Sequence, residues 1–316
     1  MEPIHIRFGG YQPPTSVHNK AAEVFGNALA TRLGDAVAFS LDGNIIASGH
    51  QAVDLLRFVE NGTLTLCYFS ASYLAARIPA FALLDLPFLL NNRPMAYAVL
   101  DGPLGQHLAE RLAAHTGFRL LGWWDNGFRH LSNRVRPIHH PRDCQGLRIR
   151  TLMSDLHQEV FRLLGFEPVA LDVKDLLASV EAGSIDAQEN PLTNIYNFGI
   201  HEHHRYITLS SHFFGAAVLL CHQASYQAWP TDIQHAVIDA AAEATRTQRQ
   251  FAAAEDDDVM ARLDPRQNEL IQLTDAARAE FTQLLAPLVH AQRARFGDDL
   301  FRHLQSGADS AQAPSA

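Results

Sequence analysis

The chain has 316 residues, 47% of them hydrophobic and 19% charged, with a formal net charge of −9 and a pI near 6.0. That length and apolar content suffice for a large core and for two lobes. The acidic balance excludes a nucleic-acid surface, which needs clustered basic side chains to meet phosphates.

The opening Met1 to Arg7 lacks a basic region followed by an apolar stretch. The chain is therefore expected to be either cytoplasmic or a mature form whose leader has been removed. Ile4 to Phe8 is predicted as a strand ending at Gly9-Gly10, and Asn19 to Arg32 carries apolar residues at helical spacing. Ala36 to Leu41 reads as a second strand, Val53 to Val59 as a helix and Leu64 to Phe69 as a third strand. This alternation implies a parallel sheet with crossover helices, an α/β fold class. The apolar run Ile78 to Leu90 is broken by Pro79, Asp85 and Pro87, so no membrane span is predicted.

Met95 to Thr116 is predicted as one helix, followed by a strand from Phe118 to Trp124 that resumes from Arg129 to Arg134 and crosses between lobes. A second α/β unit follows, with strand Leu147 to Arg150, helix Ser154 to Leu164 and strand Glu167 to Ala170. Its next helix has Asp172 as N-cap and stops at Gly183. Tyr206 to Leu209 and Ala216 to Cys221 read as returning strands, and a long helix runs from Pro230-Thr231 to about Leu263. From Gly307 the chain is rich in Ser, Ala, Gly and Pro without periodicity, and is expected to be disordered.

Cys67, Cys144 and Cys221 are odd in number and widely spaced, so they define no disulfide framework. Cys67 and Cys221 read as buried free thiols and Cys144 as a loop residue. The string His201-Glu202-His203-His204 is the most enzyme-like in the chain. A metal-dependent enzyme centred there is the alternative reading, although contiguous residues in a loop send their side chains apart, unlike ligands four apart on a helix. Nucleotide-binding and hydrolase glycine motifs are missing.

Arg150 ends its predicted strand, where open α/β sheets place ligands, and its planar fork suits a carboxylate. Two readings stay open there: a ligand clamp, or an ion pair with one of the protein's own acids. Lys20 and Lys174 are the only lysines. The arginine bias suits fixed bidentate pairing or reflects a GC-rich genome.

At these residues the chain resembles the solute-binding subunits of tripartite ATP-independent periplasmic (TRAP) transporters. The matching segments are Phe8 to Phe25, Leu86-Pro87-Phe88-Leu89, Asn126-Gly127-Phe128-Arg129, Arg136-Pro137-Ile138 with Pro141-Arg142-Asp143, Gly146 to Arg150, Leu164 to Pro168, the Ala182 to Pro191 turn and Ser211-His212-Phe213. The resemblance implies a two-lobed type II periplasmic-binding-protein fold with crossing hinge strands and a long bracing helix. Lobe I would be 1–126 plus 214–253 and lobe II 127–213 plus 254–306, leaving 307–316 as a tail. It implies a monomer without cofactor or metal that captures an organic acid anion in the periplasm for the transporter's membrane subunits. No catalysis is implied.

By the same resemblance, Arg150 salt-bridges the ligand carboxylate, Asn190 donates to it, and Arg129 either assists or holds the other lobe's backbone. Tyr11, Gln12, Ser70, Tyr73 and Trp124 are further pocket candidates, as are Asp172, Phe213 and Phe214. Ala187 stands where the family's turn usually has glycine, and Cys67 to Ala76 lacks the charged residue some relatives use. Both departures favour a monocarboxylate of modest carbon skeleton over a highly polar ligand such as sialic acid. A cytoplasmic effector-binding domain of related architecture is the third reading, and the long helix at 231–263 counts against it.

Overall fold

A computed structural model describes residues 2–310 of the chain, with side chains described for 2–305. In chain order the elements are β1 (Ile4–Gly9), α1 (Val17–Leu33), β2 (Val37–Asp42), α2 (Asp54–Glu60), β3 (Leu66–Ser70), α3 (Arg93–Asp101), α4 (Pro103–His115), β4 (Phe118–Asn133), β5 (Arg148–Thr151) and α5 (Asp155–Leu163). They continue with β6 (Glu167–Ala170), α6 (Val173–Glu181), β7 (Ala187–Pro191), α7 (Leu192–Asn197), β8 (Tyr206–His222), α8 (Gln223–Ala228), α9 (Thr231–Arg262), β9 (Glu269–Gln272), α10 (Asp275–Phe296) and α11 (Asp298–Ser310).

The chain divides into two compact units, residues 1–71, 109–126 and 216–255 in the first and 72–108, 127–215 and 256–316 in the second. β4, β8 and α9 each run through both. Residues 72–108 group with the second unit, although the sequence reading counted 1–126 as one lobe. The cause is local: Asp85 lies at the end of a 3-10 turn and pairs with His157 of α5, and α3 packs against α11.

In the first unit the strand order is β2-β1-β3-β8-β4. β1 pairs in parallel with β2 and β3, and β3 is antiparallel to β8. Ser16 caps α1 by accepting from the Asn19 N–H, and Ala21, Ala22, Phe25, Ala28 and Leu29 form its buried stripe. That stripe seats Phe25 against Phe8 and Phe39, and Phe8 in turn contacts Tyr68 and Trp124. The second unit has the order β4-β7-β5-β6, with β9 alongside β8. One of its apolar clusters joins Leu176 and Val180 of α6, Leu192 and Ile195 of α7, and Val259 from the end of α9.

Four sequence expectations need correction. The helix expected over 95–116 is two, because Pro103 has no N–H to continue the ladder and the chain turns at Gly102. The two pieces predicted on either side of 125–128 are one strand of 16 residues, which passes the positive-φ residue Gly127 (φ 89°) without breaking. The returning strands are likewise one strand, β8. Of the tail from Gly307, residues up to Ser310 continue α11, and 311–316 lie outside the described residues. No helix among the described residues is long and apolar enough to cross a membrane.

Candidate functional site

Arg150 sits near the carboxyl end of β5, between Val169 of β6 and Gln188 of β7 in parallel register. Its side chain is fully buried, and Nε and Nη2 donate to the carbonyl of Leu171 at 2.9 and 2.7 Å. The guanidinium also hydrogen-bonds the Tyr73 phenol, a group that burial pushes up in pKa while Arg150 and Arg129 pull it down and Asp172 raises it. No carboxylate among the described residues pairs with Arg150. Arg148 differs: two residues earlier on the same strand, it holds Asp186 with two bonds of 2.8 Å. Those bonds, with help from Arg134, keep Asp186 well below the usual carboxylate range.

The carbonyl of Gly183 accepts from both Arg134 and Arg148, at 2.9 and 2.8 Å. Gly183 has φ +70°, the left-handed region that favours glycine, and an added Cβ would also displace the flexible end of the Arg134 side chain. The segment that follows is not a turn. Ala187–Pro191 is a buried strand paired with both β4 and β5, so Ala187 has ordinary extended backbone and needs no glycine.

Asn190 is carried on that strand, 3% exposed. Its amide donates to Gln188 Oε1 at 2.6 Å, and its Oδ1 accepts from Arg129 at 3.3 Å. Arg129 itself forms a two-point ion pair with Glu189, through Nε to Oε2 and through Nη2 to Oε1 at 2.8 Å, and also donates to the Glu189 carbonyl. Its charge is thus met inside the second unit, by an acid that the sequence reading left in a turn and did not single out.

Glu189 is the hub of a buried ionic group. His157 Nδ1 lies 3.6 Å from Oε1 and His212 Nε2 3.4 Å from Oε2. His157 Nε2 faces Asp85 at 3.2 Å, Asp85 accepts from the Ser72 hydroxyl, and His212 Nδ1 meets Ser210 Oγ at 2.7 Å. Burial works against ionising Glu189, yet Arg129, His157 and His212 hold it well below its ordinary range. Burial likewise opposes protonation of His157, and Asp85 and Glu189 overcome it, raising the imidazole to about 9. His212 stays lowered by burial. His130, lowered to about 3 by burial, accepts from the Ser211 N–H, whose residue has a left-handed backbone (φ 46°).

The remaining predicted residues have separate places. In the second unit Asp172 caps α6, its Oδ1 accepting from Lys174 N–H at 2.9 Å. Phe213 lies 4.5 Å from the His157 ring, and Phe214 packs on Phe128 and Tyr97. In the first unit the backbone N–H groups of Tyr11 and Gln12 donate to the Tyr68 hydroxyl, Ser70 ends β3, and all three are buried. Trp124 is core: fully buried, it stacks with Tyr68 and donates to Thr245 Oγ1 at 3.1 Å. His18, not singled out from sequence, lies 5.0 Å from the Tyr68 ring and is lowered to about 3 by burial.

The histidine-rich string disperses. His201 stacks on Tyr196, His203 reaches Glu181 at 3.6 Å, and His204 is buried against Ser132. No group of three or more His, Cys, Asp or Glu that could hold a metal ion occurs among the described residues.

Residues 8–295 match the sequence profile described as bacterial extracellular solute-binding protein, family 7. A solute-binding protein of Verminephrobacter eiseniae (strain EF01-2) is 31% identical over 248 residues, 78% of this chain and 73% of its own length. The 2,3-diketo-L-gulonate-binding periplasmic protein YiaO of Escherichia coli (strain K12) is 26% identical, with 98% and 90% covered. The crystal structure of the sugar acid binding protein DctPAm from Advenella mimigardefordensis strain DPN7T, in complex with galactonate, superposes with a TM-score of 0.93 at 27% identity, covering 99% of this chain and 100% of that one. The architecture is accordingly the two-lobed α/β type II periplasmic-binding fold, with β4 and β8 as its crossing strands and α9 as its long helix. The chain belongs to bacterial extracellular solute-binding protein family 7, the solute-binding subunits of TRAP transporters.

Proposed function

We propose that the protein captures a small organic acid through Arg150, acting as a monomer in the periplasm, and presents it to the membrane subunits of a TRAP transporter without chemical change. The observation that carries this reading is a fully buried guanidinium with no acid among the described residues paired to it. A buried cation that lacks a counter-ion costs several kcal/mol, and a ligand carboxylate relieves that cost where water cannot. Arg129 is already neutralised by Glu189, which leaves Arg150 to meet a ligand. That supports a monocarboxylate over a dicarboxylate. Asn190, fixed by Arg129 and Gln188, supplies the amide that orients it.

The relatives support the broader class of organic acids: one is named for 2,3-diketo-L-gulonate and one is crystallised with galactonate, while others are named for C4-dicarboxylates or crystallised with succinate, so the preference for a monocarboxylate rests on Arg150 and Arg129. The test is a thermal-shift and calorimetric screen of ligand-stripped protein against aldonates, uronates, keto acids, short monocarboxylates and dicarboxylates, repeated on Arg150→Ala. A ligand specific to the native state raises the midpoint by mass action. Loss of the carboxylate's partner should weaken binding by about two to four decades, from a cost of about 3–5 kcal/mol. No response to any acid, or unchanged affinity in Arg150→Ala, would sink the reading.

A further inference from the structure

An asparagine amide offers a ligand either a lone pair or a hydrogen, depending on which way it is turned, so a site that relies on one must fix the turn. Around Asn190 the fixing begins at Arg129. A guanidinium only donates, and its Nη2 lies 3.3 Å from the Asn190 atom that must therefore be oxygen. The nitrogen is thereby turned toward Gln188, 2.6 Å away, where it needs an acceptor, so Gln188 presents its Oε1. Gln188 Nε2 then faces the other way and donates to Ser132 Oγ at 2.5 Å. Ser132 is itself held twice. It is the cross-strand partner of Gln188 in the β4–β7 ladder, and its Oγ lies 2.9 Å from Nδ1 of His204, the one residue of the histidine-rich string that reaches this chain of bonds. Burial keeps that imidazole neutral, lowered to about 3, and in either tautomer it gives the hydroxyl a second partner. Asn190, Gln188, Ser132 and His204 are all buried, so bulk water does not stand in for a bond that is lost.

The Asn190 nitrogen has two hydrogens, and Gln188 takes one. The other has no acceptor among the described residues. Gln188 is also the register partner of Arg150 in the β5–β7 ladder, and strand alternation puts Asn190, two residues on, on the face that those two share. Resting on the reading of Arg150 and Asn190 as the carboxylate site, we infer that Gln188 and Ser132 are its positioning residues, acting through Asn190: they lock the amide so that a hydrogen, never a lone pair, faces the carboxylate. Without the Ser132 hydroxyl, Gln188 has no acceptor for its own amide hydrogens. Turning it over sets its NH2 against that of Asn190, and the donor loses its aim.

The test is a double-mutant cycle read by calorimetry on ligand-stripped protein, with galactonate, glycerate and succinate as probes. Ser132→Ala and Gln188→Met should each weaken the acid that binds by about tenfold, the scale of one hydrogen bond. In an Asn190→Ala background the same substitutions should change affinity by less than about twofold, because the residue they act through is gone. A merely structural role would weaken binding equally in both backgrounds. In the ligand-free protein, the Asn190 side-chain amide followed by 15N NMR should exchange with solvent faster in Ser132→Ala than in the wild type. Binding that needs Arg150 but is unchanged in Ser132→Ala and Gln188→Met, or losses that persist in full without Asn190, would overturn the inference and leave the carboxylate site standing. If none of the three probes binds and no acid of the broader screen does, both fall.

Discussion

Arg129 and Glu189 meet as a two-point ion pair in which the side chains are 2% and 0% exposed, so each is the other's main replacement for water. Removing one partner leaves a buried charge alone. Glu189→Ala should therefore cost about 3–5 kcal/mol in denaturant unfolding, whereas Arg129→Met combined with Glu189→Leu should recover most of that loss. A single substitution costing less than about 1 kcal/mol would show that the pair is solvated.

Stability should peak at about pH 7, where the three lowered histidines and the raised one balance. His157 is raised from 6.5 to about 9 in the fold, so it binds more protons folded than unfolded; its contribution is full below 6.5 and disappears as pH rises through 9. His18, His130 and His204 are lowered to about 3 by burial, so the unfolded chain binds more protons and stability is lost as pH falls from 6.5 toward 3. Denaturant midpoints from pH 5 to 9 should trace both limbs, and His157→Gln should flatten the alkaline one alone. An alkaline limb of unchanged slope in that variant would refute the assignment.

The ligand-free protein should gain stability from Arg150→Met, because an unpaired buried guanidinium becomes a neutral chain of similar length. A higher thermal midpoint without ligand and no response to any acid are the expected pair of results. A lower midpoint without ligand would mean that the two bonds to Leu171 outweigh the buried charge.

All three thiols should be silent toward a disulfide reagent until the chain unfolds. Cys67, Cys144 and Cys221 are free and buried, and burial pushes the Cys221 thiol up to about 12. Cys67 pairs across the ladder with Leu220, and Cys221 with Leu66, which puts the two sulfurs on opposite faces of the sheet. Titration at pH 8 should give no reactive thiols in the native protein and three in guanidinium. A native disulfide by mass would contradict the register.

Much of this architecture is legible in local sequence signals. Glu167 to Ala170 was marked by its place between a glycine stop and a capping aspartate, although only Val169 in it is β-prone, and Arg150 was marked by standing at a strand end. Glu189 escaped because β7 has no alternation to announce it: all five residues are buried, polar ones included, on pairing with two neighbours. Its partners left fainter traces. Asp85 interrupts an apolar run, and His157 sits among Leu156, Val160 and Phe161 on the buried side of α5. An ionisable residue in such a place declares that it has a partner, but only the fold says which. Trp124, expected at a strand end, stands within the longer strand β4, because nothing in the sequence marks where that strand continues.

The α6 cap places Lys174 two residues beyond Asp172, exposed at the start of the helix, and Lys20 is the only other lysine. An amine-reactive fluorophore would thus find two side chains to modify, one of them at the start of the helix that follows the Leu171 carbonyl bound by Arg150. With Lys20→Arg, a dye on Lys174 would turn the protein into an optical reporter whose emission follows occupancy, without a cysteine having to be engineered.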